Sequence, residues 1–215
     1  MDVSASDSAL VRRGWQDSAM SELPAPPPSR DWSEIRPWRV QMRRALIGQR
    51  MGLDAALRKT QGEAARRHLL ARVDLSRFQT LGIYWPVRGE MDVRELAIEH
   101  LKRGGRVALP VVVTKSAPVE FWSWRPEMPM GRGIWNIPIP EQREVVTPEA
   151  LIVPLVGFDG ASYRLGYGGG YYDRTIAAAG QRPYLIGLGY EAGRLETIFP
   201  QAHDIPMSLI VTDAA

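Results

Sequence analysis

A glycine-rich segment in the last third of the chain limits most strongly what this sequence can fold into. Four of the five positions from Gly166 to Gly170 are glycine, and the fifth is Tyr167. An apolar run precedes the segment at 151–156, and an alanine-rich stretch follows it at 175–179. The order of strand, glycine-rich turn and helix presents backbone N–H groups and a helix N-terminus to an anion, usually a phosphate. The pattern therefore predicts a phosphate-binding loop directly after a buried strand.

This loop does not by itself name a reaction. Its glycines are too closely spaced for a dinucleotide-binding fingerprint, and no lysine followed by serine or threonine is present to hold a γ-phosphate. Taken alone, the glycine run is equally compatible with a plain strand-to-helix turn. The side chains around it favour binding, because two tyrosines, an aspartate and two arginines crowd the same turn. These residues are Arg164, Tyr171, Tyr172, Asp173 and Arg174.

Composition excludes several classes of function. The chain has 215 residues, of which 45% are hydrophobic, enough for one large domain with a full core. It has no cysteine, which removes disulfides, thiolate zinc sites and a cysteine nucleophile, and which suits a cytosolic protein. No apolar run approaches the roughly 20 residues of a membrane helix, and no apolar segment after a basic start resembles a secretory signal. We therefore expect a cytoplasmic protein without a membrane span.

Basic residues are unevenly distributed, although the net charge is only +3. Ten arginines and one lysine crowd the region 36–77, with few acids between them. Such a cluster is compatible with nucleic acid, a polyphosphate or a polyanionic small molecule as partner. The commoner explanation is the solvated face of two helices.

The order of apolar and polar segments predicts a disordered tail followed by one α/β domain. Residues 1–30 are expected to be disordered, and 31–215 are expected to form the domain. Ser33 is expected to cap a first helix, and a second is expected from Asp54 to about Val73. The residues of the second helix expected to face inward are Leu57, Ala64, Leu69 and Leu70. Segment 93–102 is expected to form a third helix, capped by Asp92. Strands are predicted at 80–85, 106–109, 119–124, 151–156, 184–188 and 209–211.

This alternation predicts a three-layer α/β fold, in which a mainly parallel sheet carries helices on both faces. In such sheets ligands bind beyond the carboxyl ends of strands, where the glycine loop and the segment 85–92 are expected. In that segment Glu90 can accept hydrogen bonds from an amino-substituted heterocycle, and Trp85 can stack on it. Asp92 is better explained as a helix cap than as a ligand contact.

Two aspartates are candidates for a metal site. Asp173 follows the glycine loop and could hold Mg²⁺ beside bound phosphates, and Asp204 in the loop before the last strand could share that ion. The alternatives are stabilisation of the helix dipole for Asp173 and a satisfied turn for Asp204. The sequence offers no Ser-His-Asp set, no H-E-x-x-H motif and no obvious nucleophile beside a base. This fits phosphoryl transfer, which relies chiefly on positioning and charge stabilisation.

From about residue 36 to residue 212 the sequence resembles the 5-formyltetrahydrofolate cyclo-ligase family. The most specific match is 164–174, which agrees with the family signature nearly residue for residue. Several matches in the same order are far less expected by chance than one glycine loop. The supporting matches are a basic N-terminal helix, Gly89-Glu90-x-Asp92 after a strand, and His203-Asp204 near the end.

The resemblance implies an activity and its participants. Such a ligase uses ATP to phosphorylate the formyl oxygen of 5-formyltetrahydrofolate, a neighbouring folate amine attacks the activated carbon, and phosphate leaves as 5,10-methenyltetrahydrofolate forms. It implies Mg²⁺ as cofactor and a reduced folate and ATP as small-molecule partners, with no membrane or nucleic acid partner expected.

The resemblance also assigns roles to positions of this chain. The metal is expected on Asp173 and Asp204, and the catalytic groups are expected to be Arg164 and Tyr171, whose hydroxyl we expect to donate near the formyl oxygen. The positions that match ATP contacts are Arg39, Arg43, Arg164, Leu165, Gly166, Tyr167, Gly168, Gly169, Gly170, Tyr171 and Tyr172. The positions that match folate contacts are Trp85, Glu90, Tyr167, Gly168, Gly169, Gly170 and Tyr171.

The sequence departs from the family pattern at two positions. Arg39 stands where the family commonly has lysine, so altered phosphate affinity is expected rather than lost function. Ile139 stands where many relatives have glutamate, so an acidic contact there is in doubt.

Two other functions are alternatives to the cyclo-ligase activity. One is a non-catalytic RNA-binding relative of the same fold, and the other is an ATP-dependent ligase or kinase for another small molecule.

Overall fold

The computed structural model describes residues 23–214. The first 22 residues of the expected disordered tail lie outside the described residues, and 23–30 contain neither helix nor strand. Regular structure among the described residues begins immediately after Asp31. None of the helices within residues 23–214 combines the length and the apolarity that a membrane span requires.

Two long helices open the domain, and each begins at an aspartate. Helix α1 spans Trp32–Gly52, and the carboxylate of Asp31 accepts the Ser33 N–H at 2.8 Å. The predicted Ser33 cap is therefore wrong, because the side chain two residues earlier supplies the acceptor and the Ser33 hydroxyl donates to the same oxygen. Helix α2 spans Ala55–Arg72 and is capped by Asp54, which agrees with the predicted start.

The inward face of α2 includes Leu69, as predicted, but differs from the prediction at Ala64. Gln61, Ala65 and Leu69 are its buried residues, at the i, i+4 spacing of one helix face. Ala64, which was expected to point inward, is only half-buried. The third helix, α3, spans Arg94–Lys102, and Asp92 accepts the Arg94 N–H at 2.9 Å from just outside it.

The strands of the described residues, in chain order, are β1 Thr80–Gly82, β2 Arg106–Val111, β3 Glu120–Trp124, β4 Met130–Arg132, β5 Pro138–Pro140, β6 Ala150–Pro154, β7 Gly157–Asp159, β8 Arg164–Leu165, β9 Tyr184–Leu188, β10 Arg194–Leu195 and β11 Leu209–Val211. The predicted strand at 80–85 is shorter than expected, and the other predicted strands lie close to their predicted positions.

The central sheet has six of these strands and is mainly parallel. Its order is β11-β9-β6-β1-β2-β3, and within residues 23–214 only the β2–β3 pair of this sheet is antiparallel.

Helices cover both faces of this sheet. In β6, Ile152 packs in the cluster that contains Leu69 of α2 and Leu96 of α3. Its neighbours Leu151 and Val153 point the other way and pack with Ile176, which lies in helix α4, Tyr171–Ala178. Because successive side chains of a strand alternate between faces, both layers are covered. The predicted three-layer α/β fold is confirmed.

We expected the glycine loop to follow the central strand β6 directly, but a hairpin lies between them. After β6 the chain forms the antiparallel hairpin β7–β8, which with β10 makes a small second sheet, and the loop leaves from β8. The Asp159 carboxylate closes the hairpin turn by accepting the N–H groups of Ala161 and Tyr163, both at 3.1 Å. Helix α1 packs on this sheet through Leu46 and Leu165. The hairpin thus places the loop between α1 and α4.

Candidate active site

The glycine loop connects β8 to α4 and uses glycine where the backbone requires it. Gly168 has φ +90 and Gly170 has φ +64, a region that L side chains rarely adopt. The other glycines of the loop do not share it, so positive φ is needed at two positions rather than four. A Cβ on Gly168 would also lie 3.3 Å from the guanidinium carbon of Arg43. Gly170 caps α4, which therefore begins at Tyr171, earlier than the segment 175–179 had suggested.

Arg43 of α1 binds the backbone of this loop. Its Nε donates to the carbonyl of Gly166 at 2.6 Å. Burial and the neighbouring charge of Arg39 lower the pKa of Arg43 to about 10, against an opposing effect of Asp204, so the guanidinium remains charged at neutral pH. The backbone of the loop is therefore held against a cationic side chain.

The two candidate metal ligands each pair with a buried arginine. Arg164 donates to Asp173 through two nitrogens at 2.9 and 3.0 Å, and Arg39 donates to Asp204 through two nitrogens at 2.9 and 3.2 Å. The Ile205 N–H donates to Asp173 at 3.2 Å, so the two pairs are adjacent. The structure thus brings together Arg39, Asp204, Arg164 and Asp173, four of the residues predicted from the sequence.

The charge state of Asp204 follows from these contacts. Burial alone would raise its pKa, but the fork of Arg39 and the Gln201 N–H at 2.8 Å outweigh burial and lower the pKa below its ordinary value. The carboxylate is therefore an anion at neutral pH, held directly against a guanidinium.

The carboxylates of this cluster do not form a closed metal cage. No group of three histidine, cysteine, aspartate or glutamate side chains within residues 23–214 is placed to hold a metal ion. Magnesium usually keeps several waters and binds one or two carboxylates together with substrate phosphates. Asp173 and Asp204 provide two carboxylates on adjacent segments, so the residues present fit an ion held jointly with a phosphate ligand.

Glu90 forms a second centre on the other side of the glycine loop. Its Oε2 accepts the Val87 N–H at 2.8 Å, and its Oε1 accepts the hydroxyl proton of Tyr167 at 2.6 Å. The Tyr167 oxygen in turn accepts a hydrogen bond from Arg50 at 2.5 Å. Burial raises the pKa of Glu90, and the bonds from Tyr167 and Val87 offset this only in part.

The remaining predicted residues surround these two centres unevenly. Trp85 lies edge to face with Trp124 at 6.3 Å and beneath Arg94 at 5.4 Å, on the side of the antiparallel edge strand β3. Tyr171 lies edge to face with the exposed Trp135 at 5.6 Å, and its hydroxyl accepts the Ser116 N–H at 3.4 Å. Trp85 therefore contacts Trp124 and Arg94, and among the described residues no ring of the glycine loop stacks on it.

Tyr172 and Ile139 are two further residues that the sequence analysis singled out. The hydroxyl of Tyr172 is buried and has no hydrogen-bond partner in the described part of the chain, residues 23–214. Ile139 lies in β5 opposite Gly131 and is half-buried, so an apolar side chain suits the position where an acidic residue was in doubt.

Sequence reasoning missed the roles of Arg50 and Trp135. Arg50 was counted only in the basic region, although Arg39, Arg43 and Arg50 are spaced so that they lie along one face of α1. That spacing was the available signal. Trp135 has φ +58 and lies in a short turn between β4 and β5. No periodicity of the sequence identifies such a residue.

The fold and the site together define an α/β protein with a glycine loop between an arginine–aspartate cluster and a half-buried carboxylate. A profile of the 5-formyltetrahydrofolate cyclo-ligase family matches residues 35–213, which is most of the chain. The chain belongs to that family and is an enzyme of this kind, so the resemblance stated from the sequence is confirmed.

Individual relatives agree over nearly their full length. The 5-formyltetrahydrofolate cyclo-ligase of Haemophilus influenzae is 28% identical over 177 residues, covering 79% of this chain and 94% of the relative. That of Escherichia coli strain K12 is 29% identical over 179 residues, covering 80% and 94%. The NMR structure of Aquifex aeolicus 5,10-methenyltetrahydrofolate synthetase superposes with a TM-score of 0.72 at 27% identity, covering 82% of this chain and 90% of that chain.

Proposed function

We propose that this protein catalyses the ATP- and Mg²⁺-dependent cyclisation of 5-formyltetrahydrofolate to 5,10-methenyltetrahydrofolate, with release of ADP and phosphate. The observation that carries the proposal is the position of the glycine loop. Arg43 and the Arg164–Asp173 pair contact one side of the loop region, and Tyr167 of the same loop contacts Glu90 on the other. Such an arrangement suits a reaction that needs a nucleotide and a heterocyclic substrate side by side.

The arginine-rich side of the loop is suited to the ATP phosphates. Arg39, Arg43 and Arg164 are guanidinium groups, which bind phosphate through paired hydrogen bonds. The N–H groups in the first turn of α4 have no acceptor within the helix, and its dipole favours an anion at this end. We expect the arriving phosphates to take over the arginines that Asp173 and Asp204 now hold.

The freed carboxylates of Asp173 and Asp204 would then hold Mg²⁺ together with those phosphates. When bound, the ion supplies positive charge that neutralises the phosphate oxygens. The protein's own contribution is to keep both carboxylates close to the loop, which the bonds from the Ile205 and Gln201 N–H groups support.

The Glu90 side of the loop is suited to the reduced folate. A carboxylate accepts hydrogen bonds through both oxygens, so Glu90 can receive the ring N–H and amino donors of a pterin. The formyl oxygen would attack the γ-phosphorus, and ADP would leave with its bridging oxygen. The neighbouring folate amine would then attack the activated formyl carbon, losing its proton, and phosphate would depart as the ring closes.

Tyr171 and Arg164 are the groups that we expect to act nearest the reacting atoms. Tyr171 begins α4, so its hydroxyl can donate a hydrogen bond toward the formyl oxygen, and Arg164 can stabilise negative charge on the transferred phosphoryl group. Phosphoryl transfer needs little covalent chemistry from the protein beyond this positioning.

The test is a reconstitution with purified protein. ATP, Mg²⁺ and 5-formyltetrahydrofolate are mixed with the protein, and the near-ultraviolet absorbance of the methenyl product is followed against blanks that lack each component. A rise that needs protein, ATP and Mg²⁺ together is expected. Folded protein that hydrolyses ATP without forming product would instead indicate another substrate. Tight RNA binding that persists at physiological salt, with no turnover, would indicate the RNA-binding alternative.

A further inference from the structure

The hydroxyl of Tyr167 lies between two charged side chains and links them. It accepts a hydrogen bond from Nη2 of Arg50 at 2.5 Å and donates to Oε1 of Glu90 at 2.6 Å. Because an arginine has no acceptor, the single hydroxyl proton is directed to Glu90. The Glu90 carboxylate is therefore oriented from both ends, by Tyr167 at one oxygen and by the Val87 N–H at the other.

Arg50 is buried and fixed by hydrogen bonds to two other segments. It is 4% exposed, and its Nε and Nη1 donate to the carbonyls of Arg88 at 2.9 Å and Leu155 at 3.1 Å. These contacts join α1, the turn that carries Glu90, and the segment that follows β6. The position of the Tyr167 hydroxyl is therefore set by a rigid group.

Tyr167 is not placed for packing in the core. Its side chain is 39% exposed, and its ring lies 5.9 Å from the Arg50 guanidinium carbon and 5.8 Å from that of Arg88. A ring that faces solvent gains little from burial. The specific contribution of this residue is its hydroxyl.

We propose that Tyr167 is a positioning residue for the folate site, which orients Glu90 toward the N–H donors of the pterin ring and ties that carboxylate to the glycine loop. The inference rests on the proposed function for the identity of the ligand. The hydrogen bond by which the Tyr167 hydroxyl orients the Glu90 carboxylate does not depend on which ligand binds.

The charges around Glu90 make the hydroxyl important. Burial raises the pKa of Glu90, whereas the Tyr167 and Val87 donors and the charges of Arg50 and Arg88 lower it. Removing the Tyr167 donor leaves burial less opposed, so the pKa of Glu90 would rise further and the carboxyl group would keep its proton, which blocks one acceptor position, to higher pH. The titratable or charged groups that face it are Arg50 from α1, Arg88 from its own turn, Tyr84 after β1, Tyr167 from the loop, Tyr172 from α4 and Tyr190 after β9.

The first test is the Tyr167→Phe variant, which keeps the ring and removes only the hydroxyl. We expect KM for 5-formyltetrahydrofolate to rise about tenfold, the size of one hydrogen bond to a charged group, while KM for ATP and kcat change less than about twofold. The acid limb of kcat/KM should move to higher pH, with an enzyme-free blank at each pH. Tyr184→Phe, which changes a half-exposed tyrosine stacked on Phe78, is the matched control.

A double-mutant cycle tests whether Tyr167 acts through Glu90. If it does, adding Tyr167→Phe to Glu90→Gln should raise the folate KM by less than about twofold further. Additive effects, or an acid limb that stays in place in the single variant, would overturn the proposal. Thermal unfolding of each variant confirms that it is folded.

A titration by carbon-13 NMR separates this inference from the proposed function. Protein labelled at the glutamate carboxyl carbons is titrated with and without Tyr167→Phe, and the Glu90 signal is identified by its absence in Glu90→Gln. A higher pKa of Glu90 in the variant is expected whether or not the protein turns over folate. An unchanged pKa would reject the link between the two residues, and absent turnover in the wild type would reject only the function.

Discussion

Asp204 and Glu90 are two carboxylates on opposite sides of the same glycine loop, and their pKa values shift in opposite directions. Burial is the largest influence on both, and it raises the pKa in each case. At Asp204 the bonds and charge of Arg39, together with a backbone donor, reverse that effect, whereas at Glu90 the available donors do not. The two pKa values shift in opposite directions because a guanidinium contacts Asp204 directly, whereas neutral N–H and O–H groups contact Glu90.

The contrast shows how one neutral group changes the use of an arginine. Arg39 contacts Asp204 directly at 2.9 Å, so its charge stabilises the anion. Arg50 reaches Glu90 through the hydroxyl of Tyr167, which transmits orientation but carries no charge. The first arrangement holds a carboxylate directly against a guanidinium, and the second holds a carboxylate through neutral hydrogen-bond donors.

The largest effect should come from breaking the arginine–aspartate side. Asp173→Asn removes one charge of the pair with Arg164, and we expect turnover to fall roughly a hundredfold or more, as for the loss of other charge-stabilising groups. The measurement is kcat as a function of Mg²⁺ concentration, with thermal unfolding to confirm the fold. The control is Asp92→Asn, which alters a half-exposed aspartate paired with Arg94 and should leave kcat within about twofold. Near-normal turnover of Asp173→Asn with an unchanged magnesium requirement would contradict the metal assignment.

The next effect should come from the Glu90 side and should appear in binding rather than in kcat. Glu90→Gln replaces an acceptor oxygen by an amide donor, which opposes the Val87 N–H and the pterin donors. We expect KM for 5-formyltetrahydrofolate to rise about ten- to a hundredfold, with KM for ATP nearly unchanged. Both constants are obtained from initial rates with the other substrate saturating. A selective rise in the ATP constant would show that Glu90 serves the nucleotide instead.

A smaller effect should follow from restoring the commoner family residue at position 39. Arg39→Lys keeps the charge beside Asp204 but loses the two-nitrogen contact, so we expect KM for ATP to change by less than about tenfold. Thermal unfolding should occur a few degrees lower, because one hydrogen bond of a buried pair is lost. Loss of nearly all turnover would mean that the forked contact, rather than the charge, is what the site requires.

The same two regions show what the sequence could and could not predict. Strands β9 and β11 lie at their predicted positions, because their apolar, β-branched residues form a local pattern. The short hairpin β7–β8 was missed, since two- and three-residue strands leave no such pattern. Tyr167 contacts Arg50 across 117 positions and Glu90 across 77, so only the folded chain brings these three residues together.

The last and smallest predicted effect compares the two carboxylates through the pH dependence of stability. The pKa of Asp204 is lowered from 3.8, so the residue is ionised in the folded and unfolded states alike between about pH 5 and pH 8. The difference in Tm between Asp204→Asn and the wild type should therefore stay constant over that range. The pKa of Glu90 is raised from 4.5, so the folded protein holds this proton to higher pH than the unfolded chain does.

The wild type consequently loses stability as the pH rises through the window between the two Glu90 values, and Glu90→Gln does not. The Tm of Glu90→Gln relative to the wild type should therefore become more positive with rising pH, by about 2–4 °C for each kcal/mol gained. Thermal unfolding of the three proteins at several pH values provides the measurement. Parallel curves for the two variants would contradict this prediction. They would mean that a neutral hydroxyl and a direct guanidinium contact have the same effect on the pKa of the carboxyl group that they contact.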